Sequence, residues 1–390
     1  MVFEEQRQLE ATLLQVRTFV STELQSRDQD VSPQERWRVI RTFCERQNID
    51  SATANGLNLF MNRAGWANKR ADLEEALTFA AWLKDKLPDN FFGRGNLVYL
   101  ADQDTPVERM FSNMKANYNF WSGLFGKDMF ATSDEPSWRG RILKNQLSLP
   151  GYYFSVKGQS GSGTFSIDLA IGYDPRNVSQ STHGEMWRVG VDMEITPSGE
   201  RVFRIVRTGS GHKSHGKEER LKELKTIRDD FLDKYKVSPQ RLLLFLALQM
   251  GHDLGFDSAK GLSTQGATDI SLLKGSKSPI DYTASMLDVG FTYKPESNWH
   301  EIHDLQNRFY SDIFAAHWHE NPRDRKDVSG YTEVIRAFNE MTDEQGRPIS
   351  FKLAATSHDL EEAWLAYEKI HSRTVNRERT GKRLGKQSEE

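Results

Sequence analysis

The stretch that most restricts the fold of this chain is residues 200–262. The predicted elements are, in order, a strand (201–207), a polar glycine-rich loop (208–216), a charged helix (217–235), an apolar helix (238–254) and a returning strand (259–263). The change from an alternating pattern to helical spacing, with the loop between them, is the basis of this interpretation. We expect the rest of the chain to be organised around this unit.

Three further strands are predicted before this unit, over residues 152–156, 165–171 and 186–195. Short turns join them to each other and to the strand at 201–207, which favours an antiparallel arrangement. Helices and another strand then follow. The expected class is therefore α+β, with an antiparallel-to-mixed sheet and helices beside it.

Helical regions flank the predicted sheet on both sides. Four helices are predicted before residue 88, and the second opens with Ser32 and Glu35 as a capping pair. A further, aromatic helix is predicted over 105–121, most simply a core helix. The expected domains are a helical bundle (1–90), an α+β domain (96–302) and C-terminal helices with a basic tail (303–390).

Composition restricts the classes of function. The chain has a net charge of −3, which predicts no general affinity for nucleic acid. No apolar run approaches the roughly 18 residues of a membrane helix, and the polar start lacks a signal-peptide pattern. The one cysteine, Cys44, excludes an intrachain disulfide and a thiolate zinc cluster. We expect a cytoplasmic protein without a membrane span.

The glycine-rich loop is the first candidate site. A loop that exposes backbone N–H groups before a helix favours phosphate or another anion. The predicted cofactor-binding residues are three nearby cations and the loop itself: Arg204, Arg207, Lys213, Thr208, Gly209, Ser210 and Gly211. The acetyltransferase type of fold has a phosphate loop at such a junction, with Gln or Arg three residues before the first glycine. Here that position is Val206, and Arg207 stands one residue later.

Candidate bases lie in or near this loop. His212 and His215 flank it, and Asp281 follows later in the chain. Each is a candidate general base for a proton-transfer step. The remaining histidines have no spacing that favours a metal, so no metal site is predicted.

The middle of the chain resembles the VirK/YbjX family of bacterial proteins. The motifs that carry the resemblance are a strand ending in glycine (205–209), the Pro-x-x-Leu-Leu-Leu helix (239–244), a strand ending in serine (262–263), and Asp281-Tyr282 before Gly290. The family tends to have a histidine soon after that serine, where this chain has Thr264-Gln265-Gly266. The resemblance implies an acetyltransferase-like fold, a Gram-negative cytoplasmic setting and an association with envelope properties and virulence, without implying a reaction.

Three functions remain open from the sequence. The first is an acyltransferase-like protein that binds an acyl-thioester, either coenzyme A or an acyl-carrier arm, and acylates an amine or hydroxyl. The second is a non-catalytic interaction or regulatory module that uses its helical flanks to bind a protein partner. The third is a nucleic-acid-associated protein, which would depend on the N-terminal helices and the basic tail at 373–386.

Overall fold

The computed structural model describes residues 2–24, 30–63, 69–86, 105–126, 129–130, 139–159, 165–173, 185–210, 218–235, 237–262, 282–287, 289–294, 299–307, 329–342, 349 and 351–353. Its helices are α1 (Val2–Glu23), α2 (Pro33–Arg46), α3 (Ser51–Arg63), α4 (Arg70–Lys86), α5 (Val107–Phe125), α6 (Glu218–Tyr235), α7 (Pro239–Asp253), α8 (Tyr282–Leu287) and α9 (Ser329–Asn339). None of the helices in these ranges combines the length and apolarity that a membrane crossing requires.

Eight strands form one sheet. They are β1 (Arg139–Gln146), β2 (Tyr152–Gln159), β3 (Ser166–Tyr173), β4 (Glu185–Ile195), β5 (Arg201–Ser210), β6 (Ser258–Leu262), β7 (Thr292–Lys294) and β8 (Trp299–Ile302). Their order in the sheet is β1-β2-β3-β4-β5-β6-β8-β7. Every neighbouring pair is antiparallel except β5 and β6, which are parallel because α6 and α7 connect them. The predicted α+β class with a mixed sheet is confirmed.

One face of the sheet is apolar and supports the helical layer. Cross-strand partners share a face. The apolar residues of this face include Val156 on β2, Leu169 on β3, Val189 on β4 and Ile205 on β5. Helix α7 packs across β3, β4 and β5, and α9 packs on β1 and β2. We call this surface the apolar face and the opposite surface the polar face.

The N-terminal helices join the sheet through aromatic contacts. Trp82 of α4 makes edge-to-face contacts with Tyr118 of α5 and with Phe165, which immediately precedes β3. The buried apolar residues of the helical region and of the sheet belong to one continuous core. Helix α2 begins with the expected capping pair, because Ser32 and Glu35 satisfy each other's backbone N–H groups.

At the end of β4, side chains of helix α5 bond to backbone groups that a neighbouring strand would otherwise pair with. The pairing of β3 with β4 ends at Val191, so β4 continues to Ile195 without β3 beside it. There the Asn117 amide both donates to the Met193 carbonyl (2.7 Å) and accepts from the Met193 N–H (2.8 Å). The Asn113 side chain accepts from the Ile195 N–H (3.0 Å). Two asparagines one helical turn apart thus satisfy backbone groups that would otherwise be buried and unpaired.

Several sequence predictions need correction. The polar loop was predicted to start at Thr208, but β5 extends to Ser210, because β4 pairs with it over its whole length. Strands β1 and β7 were not predicted. The sequence also favours a helix over 303–319. Within it, Leu305–Asn307 form a short 3-10 helix, and residues 308–319 lie outside the described ones. The sequence further favours a strand at 96–101 and a helix at 357–370, and both ranges lie outside the described residues.

Candidate functional site

The parallel pairing of β5 with β6 involves only the first half of β5. Pairing with β6 runs from Val202 to Ile205, and β5 then continues to Ser210 beside β4. Within the described ranges, no strand pairs with this second half on the β6 side. Because alternate N–H and C=O groups of a strand point to opposite sides, part of the backbone of residues 206–210 faces the place where β6 ends.

A bulge marks the point at which the two strands separate. Gly190 of β4 pairs with Arg207, whereas the next residue, Val191, pairs with Ile205. Val206 is therefore the extra residue of a β-bulge, a feature that bends a strand and redirects its side chains. The bulge lies directly after the last pairing between β5 and β6. Sheet crevices at a change in strand direction, at the carboxyl ends of strands, are common ligand sites.

Thr208 lies just beyond this bulge. Its partner in β4 is Val189, so its side chain is on the apolar face, and it is 1% exposed. Among the described residues its hydroxyl Oγ1 has no hydrogen-bond partner. A buried hydroxyl without a partner is costly, and native proteins usually avoid it. Thr208 is thus a polar group available at the carboxyl end of β5.

Buried ion pairs organise the polar face. The Arg204 guanidinium binds Asp192 with both Nε (2.6 Å) and Nη2 (2.8 Å), and both side chains are 1% exposed. Glu194 lies 3.8 Å from Arg204 and 3.7 Å from the Lys260 ammonium. Such a bidentate pair satisfies two charges that would be very unfavourable if buried alone. Arg204, a predicted cofactor-binding residue, thus lies on the polar face with its guanidinium against Asp192, and its role toward a cofactor stays a prediction.

A second ion pair crosses one strand of the same face. Arg207 of β5 reaches over β4 to the buried Asp168 of β3. Gly190 makes this possible, since a Cβ built there would lie 2.9 Å from Asp168 Oδ1 and 3.2 Å from Arg207 Nε. Arg207 is therefore held on the polar face, and its guanidinium already has a carboxylate partner.

Beside this pair lies a row of polar and small residues. Lys144, Ser155, Ala170, Arg188 and Gly209 are successive cross-strand partners from β1 to β5. Ser155 and Ala170 are fully buried. In the part of the chain that the structure describes, Ser155 Oγ has no hydrogen-bond partner.

The sequence-predicted site residues fall into two groups. Thr208, Gly209 and Ser210 are the last residues of β5 that pair with β4, so they belong to a strand and not to a loop. Gly211, His212, Lys213, His215 and Asp281 lie outside the described residues, so their assigned roles remain predictions.

Two other ionisable residues in the described ranges, His252 and Cys44, are explained by their local surroundings. His252 contacts Asp253 (3.0 Å) in the last turn of α7, near the negative end of the helix dipole. Cys44 is buried in the helical region, and burial raises the pKa of its thiol to about 12. It is therefore a poor nucleophile at neutral pH. The described residues contain no cluster of side chains suited to a metal ion.

Sequence reasoning missed Asp168, Asp192 and Ser155. The signal was present, because polar residues alternate with apolar ones in each strand, and β3 reads Ser-Ile-Asp-Leu-Ala-Ile-Gly from Ser166. Alternation identifies a polar face. It does not reveal that this face is buried, which depends on tertiary packing.

Comparison of the chain with protein-family models, with curated proteins and with solved structures finds no match. The assignment of a function therefore rests on the geometry of the sheet and its side chains.

Proposed function

We propose that this protein is acyltransferase-like and binds an acyl-thioester, coenzyme A or an acyl-carrier arm, along β5 beyond Ile205. The observation that carries the proposal is the coincidence of the bulge at Val206, the end of pairing with β6, and the buried Thr208 hydroxyl without a described partner. An acyl-thioester carrier has an extended arm with amide groups. Such an arm adds to an open strand edge by the same hydrogen bonds that join strands.

The chemistry needs few protein groups. An amine or hydroxyl of the acceptor attacks the thioester carbonyl, the carbon–sulfur bond breaks, and a carbon–nitrogen or carbon–oxygen bond forms. The acceptor proton passes to a base, and the thiol leaves with a proton. Positioning of the two reactants supplies much of the rate enhancement. His212, His215 and Asp281 remain the proposed bases, and Lys213 with the backbone of Gly209 and Gly211 the proposed phosphate contacts.

An acyl-enzyme intermediate on cysteine is not part of the proposal. Cys44 is the one cysteine of the chain, and its buried thiol has a pKa raised to about 12. Direct transfer from carrier to acceptor fits this arrangement. The expected cytoplasmic setting and the implied envelope association belong with this proposal as predictions.

Calorimetric titration with acetyl-coenzyme A and with a longer acyl-coenzyme A tests the binding step. Thr208→Val removes one hydroxyl from a buried position and keeps the shape. We expect the wild type to bind and the variant to bind about 3–10-fold more weakly, since one hydrogen bond contributes about 0.5–1.5 kcal/mol. Release of free thiol in the presence of a panel of amines then tests transfer.

The matched control is Thr78→Val. Thr78 is also a buried threonine, but its hydroxyl donates to the Glu74 carbonyl within α4 (2.8 Å). Its substitution should leave thioester affinity unchanged. Absence of binding by the wild type at millimolar ligand would contradict the proposal. Binding without thiol release from any acceptor would instead favour the non-catalytic interaction module.

A further inference from the structure

The point at which β5 and β6 separate is covered on the apolar face by α8. Gly261 of β6 pairs with Ile205, the last residue of β5 that pairs with β6. The Met286 side chain lies against Gly261, with its sulfur 2.5 Å from the position that a Cβ of Gly261 would take. Met286 is fully buried, and α8 contacts β6, β7 and β8. A methionine thus fills the space over the last pair of β5 and β6.

The proposed function brings the acyl end of the carrier to this point. Its phosphate contacts begin at Gly209, and the carrier arm follows the open edge of β5 back towards Ile205. The thioester is at the inner end of the arm, so the acyl group lies next to the last β5–β6 pair. Because β6 occupies the plane of the sheet from there, a long acyl chain has to turn towards one of the two faces.

Both faces are occupied at this position. On the polar face, the Arg204 guanidinium binds Asp192 and lies 5.7 Å from the centroid of the Trp299 ring. A hydrocarbon chain that enters there disturbs a buried ion pair, which is unfavourable. The apolar face is the side that a hydrocarbon chain favours, and there the Met286 side chain fills the space over Gly261.

We propose that Met286 determines the length of the acyl group and limits it to acetyl or propionyl size. The proposed function leaves the acyl group open, and this inference rests on that function and names the class of donor, a short-chain acyl-thioester. Met286 acts by occupying space and takes no part in proton transfer. Its unbranched side chain can be shortened without introducing a polar group, so its role can be tested directly.

Calorimetric titration of the full chain with acetyl-coenzyme A and with hexanoyl-coenzyme A measures the preference for acyl length. The wild type should bind the acetyl compound more tightly. In Met286→Ala the ratio of the two affinities should shift towards hexanoyl by about tenfold or more. The reason is that each methylene moved from water into an apolar space favours binding about fourfold.

Two further variants separate this effect from a loss of stability. Met286→Val retains more of the packing than alanine does, and should shift the ratio in the same direction by a smaller factor. The matched control is Met114→Ala, because Met114 is also fully buried but lies on α5 in the helical region. It loses the same atoms and should lower the Tm, while the ratio of the two affinities stays that of the wild type.

The outcomes distinguish this inference from the proposed function. If the wild type binds neither thioester, both are wrong. If the wild type binds hexanoyl-coenzyme A as tightly as acetyl-coenzyme A, only the role of Met286 is wrong. The same holds if the two Met286 variants keep the wild-type ratio, or if Met114→Ala shifts the ratio as far as Met286→Ala does.

Discussion

Two successive residues of β5 show how differently the two faces of the sheet are built. Phe203 points to the apolar face, where its ring contacts Phe256 at 5.3 Å between centroids. Arg204 points to the polar face and is equally buried, but its contacts are Asp192 and the Trp299 ring. The apolar face is stabilised by area removed from water. The polar face is stabilised by specific ion pairs, and the loss of one partner leaves the other charge buried without compensation.

This difference has an energetic consequence. A fully buried surface that only stabilises a fold is usually apolar, since well-packed hydrophobic residues often replace a buried ion pair without loss of stability. A sheet that keeps Asp168, Asp192, Arg204 and Arg207 on one face is therefore more sensitive to the loss of a single side chain there than on its apolar face.

The largest expected effect comes from breaking the central ion pair. Arg204→Met keeps a long side chain but leaves the Asp192 carboxylate buried without its cation. We expect a loss of about 3–5 kcal/mol in the free energy of unfolding, measured by urea denaturation.

Two further variants sharpen this test. The double variant Asp192→Leu with Arg204→Met removes both charges and should recover most of the loss. Arg228→Ala, which breaks the exposed pair with Asp229, should change the free energy of unfolding by less than about 1 kcal/mol. A single-variant loss as small as that of Arg228→Ala would show that the polar face is solvated.

The second effect concerns the strand-like role of α5. Asn117→Ala leaves the N–H and C=O of Met193 buried without their side-chain partner. Each unsatisfied group costs about 1–3 kcal/mol, so we expect a loss of about 2–4 kcal/mol. Asn119, on the exposed side of the same helix, is the control, and its replacement by alanine should be nearly neutral. Denaturant unfolding of both variants compares them directly.

The sequence allowed prediction of the apolar face but not of the burial of the polar one. Helices α6 and α7 and strands β2 to β6 were predicted because their apolar residues recur with the period of their secondary structure. Strand β1 was missed, since it contains only two apolar residues, Ile142 and Leu143, among polar ones. The site at the end of β5 was only partly predictable. Thr208 was named for a loop, whereas its position follows from pairing with β4.

Long-range pairs explain the rest of that gap. Arg207 and Asp168 are 39 positions apart, and nothing in the local pattern links them. Their contact depends on the order of three strands and on a glycine between them. The same holds for Asn117 and Met193, 76 positions apart. Periodicity describes each element, and these contacts depend on how the elements assemble.

A smaller effect should follow from filling the gap that the second ion pair crosses. Gly190→Ala introduces a Cβ 2.9 Å from Asp168 Oδ1 and 3.2 Å from Arg207 Nε, so the Asp168 carboxylate must shift and its contact with Arg207 is disturbed. We expect a loss of about 1–3 kcal/mol, as for other insertions into packed interiors. The control is Gly123→Ala on α5, where a Cβ meets nothing within 4 Å. That variant should gain about 0.5–1 kcal/mol from helix propensity. Equal effects of the two variants would contradict the crossing of Gly190 by Arg207.

The smallest effect tests how an ionisable group behaves without a charged partner. Burial in the apolar helical region raises the pKa of Cys44 from 9.0 to about 12. Because the folded-state pKa is the higher one, the neutral thiol contributes stability that is complete below pH 9 and is lost as the pH rises towards 12. We expect labelling of Cys44 by a thiol reagent at pH 8 to be slow in the folded protein and fast in urea. Rapid labelling without denaturant would mean that the thiolate forms in the folded state, and that apolar packing there is looser than on the apolar face of the sheet.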